Sequence, residues 1–340
     1  MARLAPYAEL HEPKNQKGPG DARPTAAQII QDQGLVDSPE WAGRVVLVTG
    51  CSPGGLGPET AKAIHLTGAD VYITARDDAK GQEIVKDILA DGKPGKVDYV
   101  QMDLGSLESV RKAASEFLRK SGNKLNILIN NAGIMACPEG KTQDGFELQF
   151  GTNHLGHFLL FHLLKDALLA SASPSFNSRV ISVSSSAHRS GSINFDDLMF
   201  EKTEYNPGAA YAQSKLANIH FANEVDRRYQ ARNLRAMSLH PGGIFTPLAR
   251  HLSSVQYLKD DPAFVSMSKS PAQGAATTVW GAVAKEWEGR GGVYLDEVAE
   301  GELTPPDAVY YDAGYAAQAF DPPTEKKLWD VSLQLIGLHE

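Results

Sequence analysis

The sequence predicts an α/β fold, a single-domain doubly wound parallel sheet with helices on both faces, and three observations predict it. From Arg44 onward short β-branched runs alternate with helical stretches: VVLV at 45–48, VYIT at 71–74, VDYV at 97–100, NILI at 126–129, RVISV at 179–183 and a run ending near Leu239. Such alternation is the signature of βαβ units. The runs VVLV and ILI are apolar at every position, as suits central parallel strands covered on both faces. Third, a glycine-rich turn stands directly between the first run and the helical stretch Glu59–Thr67.

Taken in order, residues 1–42 form an N-terminal extension rich in Pro, Gly, Lys and Gln, in which only Ala26–Gln33 looks helical. Residues 43–300 carry the strand–helix alternation and are expected to form the main domain, with Val293–Leu295 adding its last edge strand. The segment from Phe245 to about Met267 reads as irregular and stands where a lid would. It carries Phe245, Leu248, Leu252, Val255, Tyr257, Leu258, Phe264 and Met267, apolar enough to cover a hydrophobic small molecule. Residues 301–340 form a C-terminal extension in which Trp329, Leu333 and Leu335 mark a helix that docks on the domain.

Bulk properties exclude several classes. The 340 residues carry a net charge of −8 without basic runs, which disfavours a nucleic-acid partner. The two cysteines, Cys51 and Cys137, are too few for a disulfide framework and lack CxxC spacing, which fits a reducing compartment and no metal site. No apolar run approaches the ~18–20 residues of a membrane span, and the first thirty residues lack the apolar core of a secretory signal. A cytoplasmic location is the expectation.

The turn Thr49-Gly50-Cys51-Ser52-Pro53-Gly54-Gly55-Leu56-Gly57 lies where strand passes into helix. Glycines there permit a tight bend and close backbone approach, and the helix N-terminus favours a pyrophosphate. At the end of the second strand the chain reads Thr74-Ala75-Arg76. A carboxylate at that strand end would suit NAD, whereas Arg76 suits the extra phosphate of NADP(H). Tyr211 and Lys215 are four apart, on one helix face, and no other Tyr in the chain has Lys four residues on. An ammonium beside a phenol favours the ionised form, which a proton-transferring tyrosine needs.

With these motifs stand Asp103-Leu104, Asn130-Asn131-Ala132-Gly133, Asn153-His154-Leu155-Gly156-His157, Val183-Ser184-Ser185-Ser186-Ala187-His188 and His240-Pro241-Gly242. In order and kind they resemble the short-chain dehydrogenase/reductase family, in the branch of the retinol dehydrogenases and the WW-domain oxidoreductase. The resemblance covers about residues 43–300. It implies an enzyme with a Rossmann fold that moves a hydride between NADP(H) and a carbonyl or alcohol of a hydrophobic small molecule. By it Tyr211 is general acid or base, Lys215 grips the ribose and lowers the tyrosine pKa, Ser185 binds the substrate oxygen, and Asn153 holds a water in a proton relay. It assigns to the cofactor Gly50, Ser52, Gly55, Leu56, Gly57, Arg76, Asp103, Leu104, Asn131, Ala132, Gly133, Pro241, Gly242 and Thr246, with Tyr211 and Lys215. It also implies a homodimer or homotetramer pairing through the helices that begin near Asn153 and Tyr211.

Two features depart from the family pattern. Four residues, rather than the usual three, separate Gly50 from Gly55, so Pro53-Gly54 is expected to make an added bulge. Ser185 and Tyr211 are 26 apart, with the insert Asn194–Leu198 between them. Other candidates carry blander readings: His154, His157 and His162 lack the spacing of a zinc helix, Cys51 fills a turn, and Tyr310-Tyr311 either lines a substrate mouth or packs. Two rival functions stay open. One is another reaction on the same scaffold, such as double-bond reduction, epimerisation or cyclisation; the other is a non-enzymatic NADP-binding regulator.

Overall fold

A computed structural model describes residues 3–305 and 312–339; Tyr310-Tyr311 lies outside the described residues. Strands β1 (Val45–Val48), β2 (Asp70–Ala75), β3 (Val97–Gln101), β4 (Ile127–Asn130), β5 (Ser178–Val183), β6 (Leu234–His240) and β7 (Val293–Asp296) pair in parallel. The order is β3-β2-β1-β4-β5-β6-β7-β8, where β8 is Ala299–Glu300. The direction of winding reverses between β1 and β4, and the crevice beyond the carboxyl ends of strands at such a switch is where ligands sit in doubly wound sheets. Every residue of β1, β4 and β5 is buried, as their unbroken apolar runs require.

The expected last edge strand at Val293–Leu295 is instead interior, because β8 turns back antiparallel along β7. The two-residue connection, Glu297 and Val298, has φ of +53° and +54°. Positive φ at both central positions is the geometry of a tight hairpin, usually announced by Asn-Gly or Asp-Gly. Glu-Val gives no such announcement, and a β-branched residue there is costly.

Helix α1 (Ala26–Asp32) buries Ala26, Ile29 and Ile30 against α2 (Leu56–His65). Thr25 starts α1 by accepting from the Gln28 N–H at 3.1 Å. Helices α3 (Asp78–Leu89), α4 (Leu107–Ser121), α5 (Gly156–Ser171) and α6 (Pro207–Tyr229) follow along the chain. The first residues of the chain also reach the sheet edge, where Glu300 N–H donates to Leu4 O at 2.8 Å. Among the described residues no helix is long and apolar enough to cross a membrane.

The lid region carries α7 (Val255–Asp260) and α8 (Pro262–Met267), and beyond it lie α9 (Ala276–Val283) and α10 (Pro322–Leu335). The docking helix expected from Trp329 is α10, and its position corrects another expectation. Trp329 is 1% exposed and packs on Phe158, Phe161 and Phe221, with ring centroids 4.9, 6.2 and 6.3 Å away. The apolar surface of α5 and α6 expected at a subunit interface is thus covered from within the chain.

Candidate active site

The loop after β1 is built by close approach. Gly50 has φ +72°, and a Cβ on it would fall 2.5 Å from Ala132 Cα, so only glycine fits. Thr49 Oγ1 accepts from the N–H groups of Asn131 and Ala132 at 3.0 and 3.1 Å, and Asn131 Nδ2 donates to Thr49 O at 2.8 Å. These bonds zip the loops after β1 and β4 together. The extra residue is absorbed in a tight turn: Gly55 N–H donates to Ser52 O at 3.0 Å, with Pro53 and positive-φ Gly54 between them. Gly55 then heads α2 without a side-chain cap, which leaves a helix N-terminus suited to an anion.

Of the residues assigned to the cofactor, all but Gly57 line one cavity of about 910 Å³. A Cβ on Gly57 would lie 2.9 Å from Gly50 O, so its lack of a side chain lets α2 close on the loop. Arg76 stands exposed just past β2. Its acidic neighbour Asp77 is turned away, accepting from Lys80 N–H at 2.9 Å as the cap of α3. Cys51 is buried, and burial pushes its thiol well above the usual range, which suits a filler rather than a nucleophile.

Farther along the cavity, Tyr211 and Lys215 occupy successive turns of α6, with Lys215 Nζ 5.7 Å from the Tyr211 ring centre. Lys215 is buried, donates to Val183 O at 3.1 Å, and burial pushes it down to about 8. The three serines after β5 differ in what they can still do. Ser184 Oγ donates to Lys215 O at 2.6 Å, whereas Ser185 Oγ accepts from Ala187 N–H at 3.2 Å and keeps its own proton for the cavity. His188 steadies that loop. Its Nδ1 lies 2.6 Å from Ser185 O and its Nε2 accepts from Ala316 N–H at 3.2 Å; burial pushes the ring down to about 4, so it is neutral.

Asn153 is fully buried, does not line the cavity, and lies in a π-turn, Gly151–Leu155, ahead of α5. Its Nδ2 donates to Ile134 O at 3.0 Å and Ser214 Oγ at 2.9 Å, and its Oδ1 accepts from Ile134 N–H at 2.9 Å. It therefore ties the Gly133 loop to α6 directly behind Lys215. His154 and His157 are neutral, pushed down to about 3 and 4 by burial, and bond to Ser332 and Thr49.

The lid segment is helical rather than irregular: a turn at Pro247–His251 followed by α7 and α8. Each piece is too short to show a helical period. Phe245, Leu248, Leu252, Val255, Leu258, Phe264 and Met267 line the cavity, while Tyr257 is 71% exposed and does not. Sequence reasoning missed the N-terminal arm, which adds His11, Pro13 and Gln16 to the wall. Buried Arg23 pins the arm to the lid, donating to Met267 O and Ser268 O, each at 2.6 Å, and pairing with Asp21. Arg23→Ala is expected to destabilise the protein by about 2 kcal/mol, the scale of lost charged hydrogen bonds, and to speed proteolysis at residues 245–267. An unchanged melting temperature and cleavage rate would count against the pinning role.

The model of the short chain dehydrogenase family matches residues 44–256. The chain is 48% identical over 328 residues to the short-chain dehydrogenase/reductase prx1 of Penicillium roqueforti, covering 96% of this chain and 94% of that one. It is 38% identical over 317 residues to human retinol dehydrogenase 11, covering 93% of each. Among solved structures it resembles the Pseudomonas aeruginosa RhlG/NADP active-site complex, with TM-score 0.61, 25% identity, and coverage of 77% of this chain and 96% of that one. With the glycine turn at the strand switch and Tyr211 and Lys215 on one cavity wall, these matches make the chain a member of the short-chain dehydrogenase/reductase family, in the branch of the retinol dehydrogenases.

Proposed function

We propose that this oxidoreductase transfers a hydride between NADP(H) and the carbonyl or alcohol carbon of a hydrophobic small molecule, with ketone or aldehyde reduction as the working direction. The observation that carries the reading is one cavity bordered at one end by the glycine turn and Arg76, and farther along by Ser185, Tyr211 and Lys215. The residues fit the dinucleotide. Gly50 leaves room for a backbone no side chain could share, α2 presents uncapped N–H groups, and Asp77 is committed elsewhere. Ser52, Gly55 and Leu56 would hold the phosphates, Asp103 and Leu104 the adenine side, Asn131, Ala132 and Gly133 the middle, and Pro241, Gly242 and Thr246 the nicotinamide side. When bound, the cofactor supplies or accepts the hydride.

Within this reading Ser185 donates a hydrogen bond to the substrate oxygen, and Tyr211 gives that oxygen a proton as negative charge develops on it. Lys215 favours the ionised phenol that results. Asn153 holds the loop and turn on which a relay water would sit. Reactions on the same scaffold that transfer no net hydride to a carbonyl are the second reading, and product analysis with candidate substrates separates them. A cytoplasmic location and assembly as a homodimer or homotetramer, through a surface other than the α10-covered face, complete the proposal.

Arg76 and the engaged Asp77 make NADPH the expected partner over NADH. Dissociation constants for both should differ in the parent, and Arg76→Ala should lose ~1.5–3 kcal/mol for NADPH alone, the scale of a hydrogen bond to a charged group. Equal affinities in the parent would remove the basis for NADP(H). Oxidation of NADPH with hydrophobic ketones or aldehydes tests the reaction itself.

A further inference from the structure

One wall of the cavity carries a carboxyl group that hydride transfer does not use. Asp296 ends β7, lines the cavity and is 2% exposed. Its Oδ2 accepts from Gly314 N–H at 3.0 Å, while its Oδ1 has no hydrogen-bond partner among the described residues. Buried polar atoms are almost always paired, so an orphan on a residue that lines a cavity calls for an explanation.

The surrounding charges do not bond to this atom: of the two cations that act on Asp296, Arg189 donates to Asp312 O and Lys269 is engaged elsewhere. Lys269 Nζ is held by Glu297 Oε1 at 3.0 Å, and His11 Nε2 lies 3.2 Å from Glu297 Oε2. His240, the neighbour of Asp296 on β6, is partly buried and neutral, with its Nδ1 accepting from Ser186 N–H at 3.2 Å. The Glu297-Val298 hairpin, with its two residues at positive φ, fixes where the Asp296 backbone ends. Such conformations persist only where the surroundings enforce them, and they gather at ligand sites.

Register gives the distance to the reacting end. Val183 pairs with Leu239 and Leu239 with Leu295, so Ser184, His240 and Asp296 stand side by side one step beyond. We propose that Asp296 anchors a hydroxyl group of a rigid, hydrophobic carbonyl substrate, on the side of the molecule remote from the carbonyl. The two groups would stand roughly 10 Å apart, two strand spacings. The position of the carbonyl rests on the hydride-transfer reading above. A hydroxyl suits the site because it both donates and accepts. Burial and the Glu297 charge push Asp296 up to about 7, so near neutral pH its free oxygen serves either partner role.

The test uses the full-length protein loaded with NADPH and two saturated four-ring steroid ketones that differ only in a hydroxyl at the end opposite the carbonyl. Calorimetry should show the hydroxy ketone binding roughly tenfold more tightly, the worth of one well-made buried hydrogen bond. Asp296→Leu should abolish that preference while leaving the affinities for NADPH and for the ketone without hydroxyl within about twofold of the parent. Asp296→Asn, which keeps an acceptor for Gly314, should retain most of it. Equal binding of the two ketones by the parent, binding of neither, or an undiminished preference in Asp296→Leu would each overturn the anchor. The parent comparison needs no variant, so a poorly folding Leu protein does not rescue the idea. Hydroxyl-dependent binding without NADPH oxidation overturns the hydride-transfer reading and keeps the anchor; reduction of both ketones at equal kcat/KM does the reverse.

Discussion

Tyr211→Phe is expected to abolish turnover while leaving the fold and NADPH affinity close to those of the parent. The ring is 7% exposed on α6, and removing one hydroxyl changes its volume little. In reduction, charge builds on the carbonyl oxygen and a proton must reach it. Phe has none to give, and Ser185, which can still donate a hydrogen bond, has no pKa near neutrality. The loss should be at least ~10²–10⁴-fold in kcat, the range for a positioned acid. Melting temperature and NADPH dissociation constant are the controls. A variant retaining more than a tenth of parental turnover on its substrate would remove Tyr211 as proton donor and bring the scaffold-type reactions forward.

Lys215→Met should separate function from stability in opposite directions. Burial pushes the Lys215 ammonium from its ordinary 10.5 down to about 8. Between those pH values the unfolded chain holds more protons than the folded one, so stability rises as pH rises through this window. Below about pH 8 the penalty of the buried charge is present in full. The Met protein escapes it and should be more stable than the parent at pH 7 without cofactor, by about 1–3 kcal/mol. The advantage should shrink as pH approaches 10. Turnover and NADPH affinity should both fall, because the proposed ribose contact and the charge beside Tyr211 are lost together. A less stable apo protein at pH 7 would show that Lys215 holds the fold, through its bond to Val183 O, more than it strains it.

What could be read in advance follows from how local the determinant is. The strands at 45–48, 97–100 and 179–183 are set by unbroken apolar runs, and they appear within a residue of where those runs lie. Gly50 and the Tyr211–Lys215 pair are legible because a tight turn and a helix face are each encoded within a few residues. The β7–β8 hairpin was not, since Glu297-Val298 carries none of the residues that prefer positive φ, and Lys269 and His11 hold Glu297 from distant parts of the chain. Equally hidden was the placement of His11 in the cavity wall, which depends on Arg23 meeting carbonyls some 244 residues away. Asn153 was found by motif, but its bonds to Ile134 and Ser214 are visible only once the loop after β4 and α6 lie against each other.

The N-terminal arm sets an order on the birth of the molecule. Arg3, Leu4, His11, Gly18 and Arg23 leave the ribosome long before their partners, which lie between Ser266 and Glu302. At roughly 5–20 residues per second, the arm waits on the order of 12–60 s before it has anything to bind. During that wait the sheet can pair outward from β1, while the lid and the β8 edge stay unfinished. The active-site cavity therefore closes only after the residues from Ser266 to Glu302 have emerged. A stalled or truncated product ending before Ser266 would expose both the arm and the apolar surface of α5 and α6, which makes it a natural client for chaperones and proteases.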